Sequence, residues 1–340
     1  MKEKGISAFL ITDLLNIHYL TGFTGSNGYL FLSQGISFFF TDFRYQEQSK
    51  REVKVDKIKI LERNFFEEVP PELKSEKELA FEEHSLTYKA YSQLKKRLPG
   101  VKFHPMPDIV SELRMQKDEA EINLIRTASS ITDTVFSLIL NFIKPGMTEK
   151  EVALKIDFLI KEKAELSFPT ICASGENAAL PHAKPEDKRL KKGETIIIDI
   201  GASYQGYASD MTRTIFLGNC SKKAEEIYKI VKDAQECALT NLRAGKKTKE
   251  IDALARDYIK DKGYGKFFGH GLGHGVGLAV HEKPTLSPAS SETILPNSIL
   301  TCEPGIYLPG FGGVRIEDLV LVKKDGIEIL SKSPKDLITL

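Results

Sequence analysis

The chain of 340 residues predicts two domains, an α/β domain at the N-terminus and an α+β domain after it. Three observations lead there. The length exceeds what one hydrophobic core organises, about 250–300 residues. Pro99, Gly100, Pro105 and Pro107 form a breaker cluster that sets expected domains at residues 1–112 and 113–340. Beyond that boundary the order helices then strands runs twice, without a sequence repeat.

Within residues 1–112 short strands and helices alternate. ISAFLIT (6–12) and YLFLSQGISFFFTD (29–42) are rich in Ile, Phe and Leu, as buried strands are, and the second run is broken by Gly35. TGFTGSNG between them is a turn-rich loop. Residues 45–52 and 87–98 mix polar and apolar side chains at helical spacing. After the boundary, Ile122, Leu124, Ile125, Ala128, Ile131, Val135, Leu138 and Ile139 recur close to a 3.6 period. They predict one long helix over 118–143, stopped by Pro145 and Gly146. Thr148 and Glu151 form a T-x-x-E capping box for a helix reaching about residue 164. Helices over 221–243 and 248–262 follow, ended by Gly245 and Gly263.

Composition narrows the function classes. Hydrophobic content of 41% and charged content of 28% are those of a globular protein. A formal net charge of +1 supplies no field for nucleic acid or an anionic membrane, and the basic run KRLKK (188–192) reads as a solvated loop. Cys172, Cys220, Cys237 and Cys302 show no CxxC spacing, which argues against a zinc finger or thioredoxin-like site and suits a reducing compartment. The charged-then-apolar start resembles a signal peptide, but Asp13, Asn16 and His18 interrupt it and no small-residue cleavage site follows. No stretch approaches the about 20 apolar residues of a membrane span. The expectation is a cytoplasmic protein.

Five glycine-flanked segments carry the chemistry: IIIDIG, YASDMTRT, GHGLGHGVG, TCEPGIY and GVRIEDLV. They supply Asp199, Asp210, His274, Glu303 and Glu317. Four carboxylates converging with one imidazole repel one another unless cations neutralise them, which points to a two-metal hydrolase. A hairpin turning around Tyr204 and Gln205 would set Asp199 opposite Asp210, about 4.5–5.5 Å apart at Cβ. A second hairpin, centred near Gly310, would set Glu303 opposite Glu317. Arg315 shares a face with Glu317, so a plain ion pair between them is the competing explanation for both. Glycine at every second place from 269 to 277 predicts an extended strand, whose His270 and His274 would stand about 13 Å apart at about 3.3 Å per residue. One is then a ligand and the other faces the substrate. In SGENAALPHAKP, His182 is presented from a loop, where it suits a proton relay or an oxyanion donor.

Together and in this order, IIIDIG, SDMTRT, GHGLGHGVGL-x-VHE, CEPGIY and G-x-RIED resemble the peptidase family of Xaa-Pro aminopeptidases (aminopeptidase P) and prolidases. The resemblance covers the whole chain, and YLTGFTGSNG with FFTDFRYQEQ is similar to that family's N-terminal domain. It implies a creatinase-type α/β N-terminal domain ahead of an α+β pita-bread catalytic domain. It implies two divalent ions held by Asp199, Asp210, His274, Glu303 and Glu317, with Asp210 and Glu317 shared between them. A metal-bridging hydroxide would be the nucleophile and Glu303 the proton acceptor. His182 and His281 would contact the substrate and the developing oxyanion, His270 would line the proline side, and Arg315 would orient the acidic ligands. The oxygen-rich donor set suits Mn²⁺, with Co²⁺ or Zn²⁺ as competitors. The expected activity is release of an N-terminal residue preceding proline from peptides; the alternative is a prolidase restricted to Xaa-Pro dipeptides. Methionine aminopeptidases usually lack a domain like residues 1–110, and creatinases lack the ligands. A non-catalytic peptide-binding relative would typically have lost ligands that are present here. The family resemblance also implies a homodimer.

Overall fold

The computed structural model describes residues 6–33 and 35–340. The charged start of the amino-terminal segment (1–5), and Gln34 within the run expected to form strands, lie outside the described residues. The chain divides into two compact units, Met1–Arg114 and Met115–Leu340.

The first unit is a mixed six-stranded sheet with helices. Its strands are β1 (Ala8–Ile11), β2 (Tyr29–Ser33), β3 (Ile36–Asp42), β4 (Lys57–Leu61), β5 (Glu78–Glu82) and β6 (Lys102–Met106), in the order β4-β3-β2-β1-β5-β6. The β1–β2 and β2–β3 pairs are antiparallel, and β4, β5 and β6 join in parallel. Phe31, Phe38 and Phe40 enter one apolar cluster, whereas Phe9, Leu30 and Phe39 enter another. Both faces of the central strands are therefore covered, which explains their unbroken apolar runs. Helix α1 (Leu14–Thr21) is not apparent from periodicity. It is set by its ends: Asp13 accepts the Leu15 and Asn16 amides, and Gly22 closes it with φ 84°. The remaining helices are α2 (Gln46–Glu52), α3 (Pro71–Lys74), α4 (Tyr88–Arg97) and α5 (Ile109–Arg114).

The second unit contains two helix pairs, each laid on a sheet. Helix α6 (Glu119–Phe142) starts at a capping box of Asp118 and Glu121, and α7 (Glu149–Lys161) at the box of Thr148 and Glu151. The apolar stripe of α6 packs, with Val152, Ile156 and Ile160 of α7, on the first sheet. Strands β7 (Glu165–Leu166), β8 (Ile171–Ser174), β9 (Thr195–Ile200), β10 (Ala202–Tyr204), β11 (Tyr207–Ala208) and β12 (Met211–Phe216) follow. Helices α8 (Lys222–Asn241) and α9 (Thr248–Asp261) cover the second sheet through Ile227, Val231, Ile251 and Ala255. The strands of this half are β13 (Gly273–Gly275), β14 (Glu282–Leu286), β15 (Ile299–Cys302), β16 (Gly305–Leu308), β17 (Gly312–Arg315), β18 (Asp318–Lys323) and β19 (Gly326–Ile329), of which β16 and β17 pair as a separate two-stranded sheet. A last strand, β20 (Ile338–Thr339), returns to the first sheet, giving the orders β20-β12-β9-β8 and β14-β13-β15-β18-β19. No helix of the described residues is long and apolar enough to cross a membrane.

The two halves meet along β12. The Thr214 hydroxyl donates to the Arg315 carbonyl at 2.8 Å, and the Glu317 amide donates to the Thr212 carbonyl at 3.1 Å. Buried Arg213 forms an ion pair with Asp318 at 2.7 Å and also donates to the Glu317 carbonyl. This seam brings the conspicuous carboxylates of each half together.

Candidate metal centre

Asp199 lies on β9 and Asp210 just before β12. The turn between β10 and β11 is made by Gln205 and Gly206, both left-handed at φ 49° and 87°. Two successive positive-φ residues match the twist of a tight hairpin. The expected turn at Tyr204 and Gln205 is thus displaced by one residue, and the register by two: Asp199 pairs with Thr212 rather than Asp210. Because side chains alternate faces, a two-residue displacement keeps both aspartates on the same side, and Asp210 feels the charge of Asp199.

The second hairpin has the register that its spacing predicts. Gly305 pairs with Arg315 and Cys302 with Asp318, both centred on Gly310. Glu303 and Glu317 face each other in the gap between these paired stretches. The glycine run behaves differently from expectation, since only Gly273–Gly275 is strand. A Cβ on Gly273 would lie 2.1 Å from the Thr301 carbonyl oxygen, and one on Gly275 would lie 2.2 Å from that of Lys283. These glycines serve close approach of β15 and β14, and residues 268–272 leave the sheet.

Around this frame the side chains converge. Ligand atoms of Asp210, His274 and Glu317 all lie within 4.8 Å of one another. His274 Nε2 is 3.3 Å from Glu303 Oε1 and 3.7 Å from Asp210 Oδ2. The Thr301 hydroxyl accepts the His274 amide at 3.0 Å and donates to Glu303 Oε1 at 3.2 Å. Arg315 is not paired with Glu317, as the competing explanation required. Its Nη2 donates to Asp199 Oδ2 at 2.5 Å and its Nε to Thr212 Oγ1 at 3.0 Å, while the Thr212 hydroxyl donates to Glu317 Oε2 at 2.6 Å. Arg315 Nη1 also holds the Tyr307 hydroxyl and the Pro181 carbonyl, each at 3.0 Å. That last bond anchors the loop carrying His182.

The rim is imidazole. His281 is exposed, with its ring centroid 4.2 Å from that of His274. His182, also exposed, exerts charge on both His270 and His281. His270 stands apart from the carboxylates, its Nε2 2.9 Å from the Tyr307 hydroxyl. Thr212, Thr301 and Tyr307 were missed in the sequence. Only their spacing signals them: two residues from Asp210, two before Glu303 and four after it.

Electrostatics mark the interior as short of positive charge. Burial, then Glu317, Asp199 and Glu303, hold Asp210 well above its ordinary carboxylate range. Burial and the charges of Glu303 and Asp199 do the same to Glu317. Burial also raises Asp199, despite Arg315 beside it. For Glu303 burial would do likewise, but the His274 hydrogen bond and charge outweigh it and lower its pKa. His274 is raised, as Glu303 overcomes its burial. Asp199 Oδ1 and Glu317 Oε1 are buried without a hydrogen-bond partner among the described residues. Carboxylate oxygens left over in this way, beside an imidazole, fit hard divalent cations.

The model of metallopeptidase family M24 matches residues 123–324, and that of the creatinase/prolidase N-terminal domain matches residues 1–116. The Xaa-Pro dipeptidase of Pyrococcus horikoshii is 38% identical over 99% of this chain and 96% of its own length. The solved Xaa-Pro dipeptidase from Bacillus anthracis matches with a TM-score of 0.96 and 42% identity, over 100% of this chain and 96% of that one. The X-Pro aminopeptidase from Thermotoga maritima matches with a TM-score of 0.89 and 38% identity, over 99% and 98%. The chain belongs to metallopeptidase family M24, with a creatinase/prolidase N-terminal domain preceding its pita-bread catalytic domain.

Proposed function

We propose that this protein is a Xaa-Pro dipeptidase, a prolidase, that hydrolyses the bond between a first residue and proline with the aid of two divalent cations. The chemistry rests above all on one observation: ligand atoms of Asp210, His274 and Glu317 lie within 4.8 Å of one another, Glu303 is 3.3 Å from His274, and Asp199 Oδ1 and Glu317 Oε1 are buried with no hydrogen-bond partner among the described residues. Asp199, Asp210, His274, Glu303 and Glu317 would hold the ions. Bound there, they would acidify a water and stabilise negative charge on the scissile carbonyl. Mn²⁺ suits the oxygen-rich set, with Co²⁺ and Zn²⁺ as competitors.

The protein's own groups do the rest. Glu303, kept ionised by His274, is the proton acceptor. His182 and His281, exposed at the rim, contact the substrate and the developing oxyanion. Arg315 orients Asp199 directly and Glu317 through Thr212. His270 lines the proline side. The aminopeptidase activity expected from sequence becomes the second reading. The Bacillus anthracis dipeptidase matches at 42% identity and TM-score 0.96, the Thermotoga maritima aminopeptidase at 38% and 0.89. A homodimer in the cytoplasm completes the proposal, and four free cysteines support a reducing compartment.

Product analysis with Ala-Pro and Ala-Pro-Ala, using metal-stripped protein with and without Mn²⁺, tests the proposal. Metal-dependent cleavage of the dipeptide alone is the expected result. Cleavage of the tripeptide would establish the aminopeptidase instead, and turnover of neither with any metal would overturn both.

A further inference from the structure

Residues 269–271 belong to no strand or helix, and glycines flank His270 on both sides. Such a segment holds one imidazole in one orientation only if something outside the ladder restrains it. The ring itself meets the Tyr307 hydroxyl at 2.9 Å and the Gly271 carbonyl at 2.8 Å, and the backbone that carries it is restrained by helix α9. Asp252 is buried at 1% exposure, and Arg256, one turn on, grips it with Nε at 2.7 Å from Oδ2 and Nη2 at 2.8 Å from Oδ1. The same guanidinium donates from Nη2 to the His270 carbonyl at 2.7 Å and from Nη1 to the Phe268 carbonyl at 3.0 Å. Asp252 Oδ1 in turn accepts the Leu272 amide at 3.0 Å. Arg256 also lies 4.3 Å over the Phe268 ring, whose edge-on neighbour at 5.1 Å is the His270 imidazole.

We infer that Asp252 and Arg256 are a positioning pair for His270, and through it set the proline side of the substrate site. The inference rests on the proposed role of His270 as a substrate-facing residue. Two side chains on one helix face bond the backbone before, at and after His270. Nothing in hydrophobic packing requires this arrangement, since a buried aspartate and a planar fork are costly to place without partners. Four bonds from one guanidinium need its planar geometry, which a lysine ammonium cannot reproduce. Neither residue bonds a carboxylate of the cluster, although the Leu272 carbonyl accepts the Glu303 amide at 2.8 Å, so metal content separates an effect on substrate placement from one on the ligands.

The test uses the full-length Mn²⁺-loaded enzyme with Ala-Pro as substrate, comparing His270→Ala, Arg256→Met, Arg256→Lys and the double variant His270→Ala/Arg256→Met. Backbone amide exchange and metal content are read alongside. Misplacement of a substrate-contacting group by about 1 Å can cost 100-fold. Arg256→Met is therefore expected to raise KM about 10-fold or more, with a smaller change in kcat and unchanged metal content. Arg256→Lys should not rescue it. Amide exchange of residues 270–272 should accelerate while that of α8 stays the same. The double variant should be no worse than His270→Ala. A normal KM in Arg256→Met beside a raised one in His270→Ala would overturn the positioning role and leave the substrate reading intact. Additive losses in the double variant would also overturn it, placing the effect of Arg256 elsewhere. An unchanged KM in His270→Ala would remove the substrate-facing role of His270, and the inference with it.

Discussion

Replacing Thr212 by valine probes whether one hydroxyl coordinates the two halves of the centre. Thr212 is fully buried, donates to Glu317 Oε2 at 2.6 Å and accepts from Arg315 Nε at 3.0 Å. Valine preserves the β-branched shape on β12, so the change removes the hydroxyl more than volume. A hydrogen bond to a charged group is worth about 1.5–3 kcal/mol, and about 1.4 kcal/mol is tenfold in affinity. If Thr212 aims Glu317 at a cation, Thr212→Val should weaken metal binding about 10-fold to 100-fold, the range found for residues that orient ligands. Competitive calorimetric titration of the metal-stripped protein with Mn²⁺ measures it, with Thr212→Ser as the control that retains the hydroxyl. Wild-type affinity in Thr212→Val would refute the reasoning. So would an equal loss in Thr212→Ser, because the hydroxyl would then not be the cause.

Other outcomes follow from the same geometry. Asp210→Asn and Glu317→Gln should each abolish turnover while circular dichroism shows an unchanged fold; retained activity in either would sink the two-cation assignment. His182→Ala should depress kcat far more than metal content by elemental analysis, and an equal fall in both would make the residue structural. Asp210, Glu317 and Asp199 are raised in the metal-free protein, chiefly by burial. The folded form therefore binds more protons than the unfolded one above the ordinary carboxylate range, and stability falls as pH rises through the raised values. Melting curves in excess chelator between pH 5 and 8 should show that fall, and a flat profile would contradict it. Added cation at 100 times its Kd should restore about 2.7 kcal/mol.

Much of the catalytic unit is legible in the chain because its signals are local. The capping boxes at Asp118 and Thr148 start α6 and α7 where the sequence places them, since each cap satisfies backbone donors within four residues. The hairpin about Gly310 is legible for the same reason: a glycine-rich connection of set length leaves one register. The first hairpin was not, because Tyr204–Gln205 and Gln205–Gly206 are both plausible turns. The choice depends on which pair takes left-handed backbone, and Gln205 does. The glycine alternation from 269 to 277 looks like one long strand. It is three residues of strand and an irregular stretch, because Gly273 and Gly275 are small to admit neighbouring backbones.

From the sequence by itself come the chemical types: five groups able to hold cations, the order in which they occur, and the family whose order it matches. Their partners came only with the tertiary structure. Arg315 reaches back 116 residues to Asp199, Thr212 bridges 105 residues to Glu317, and Asp252 and Arg256 take hold of the His270 segment from a separate helix. Periodicity and spacing report which side chains share a face within one element. Hydrogen bonds between distant elements depend on how two sheets are laid along β12, and no local pattern in the chain encodes that contact.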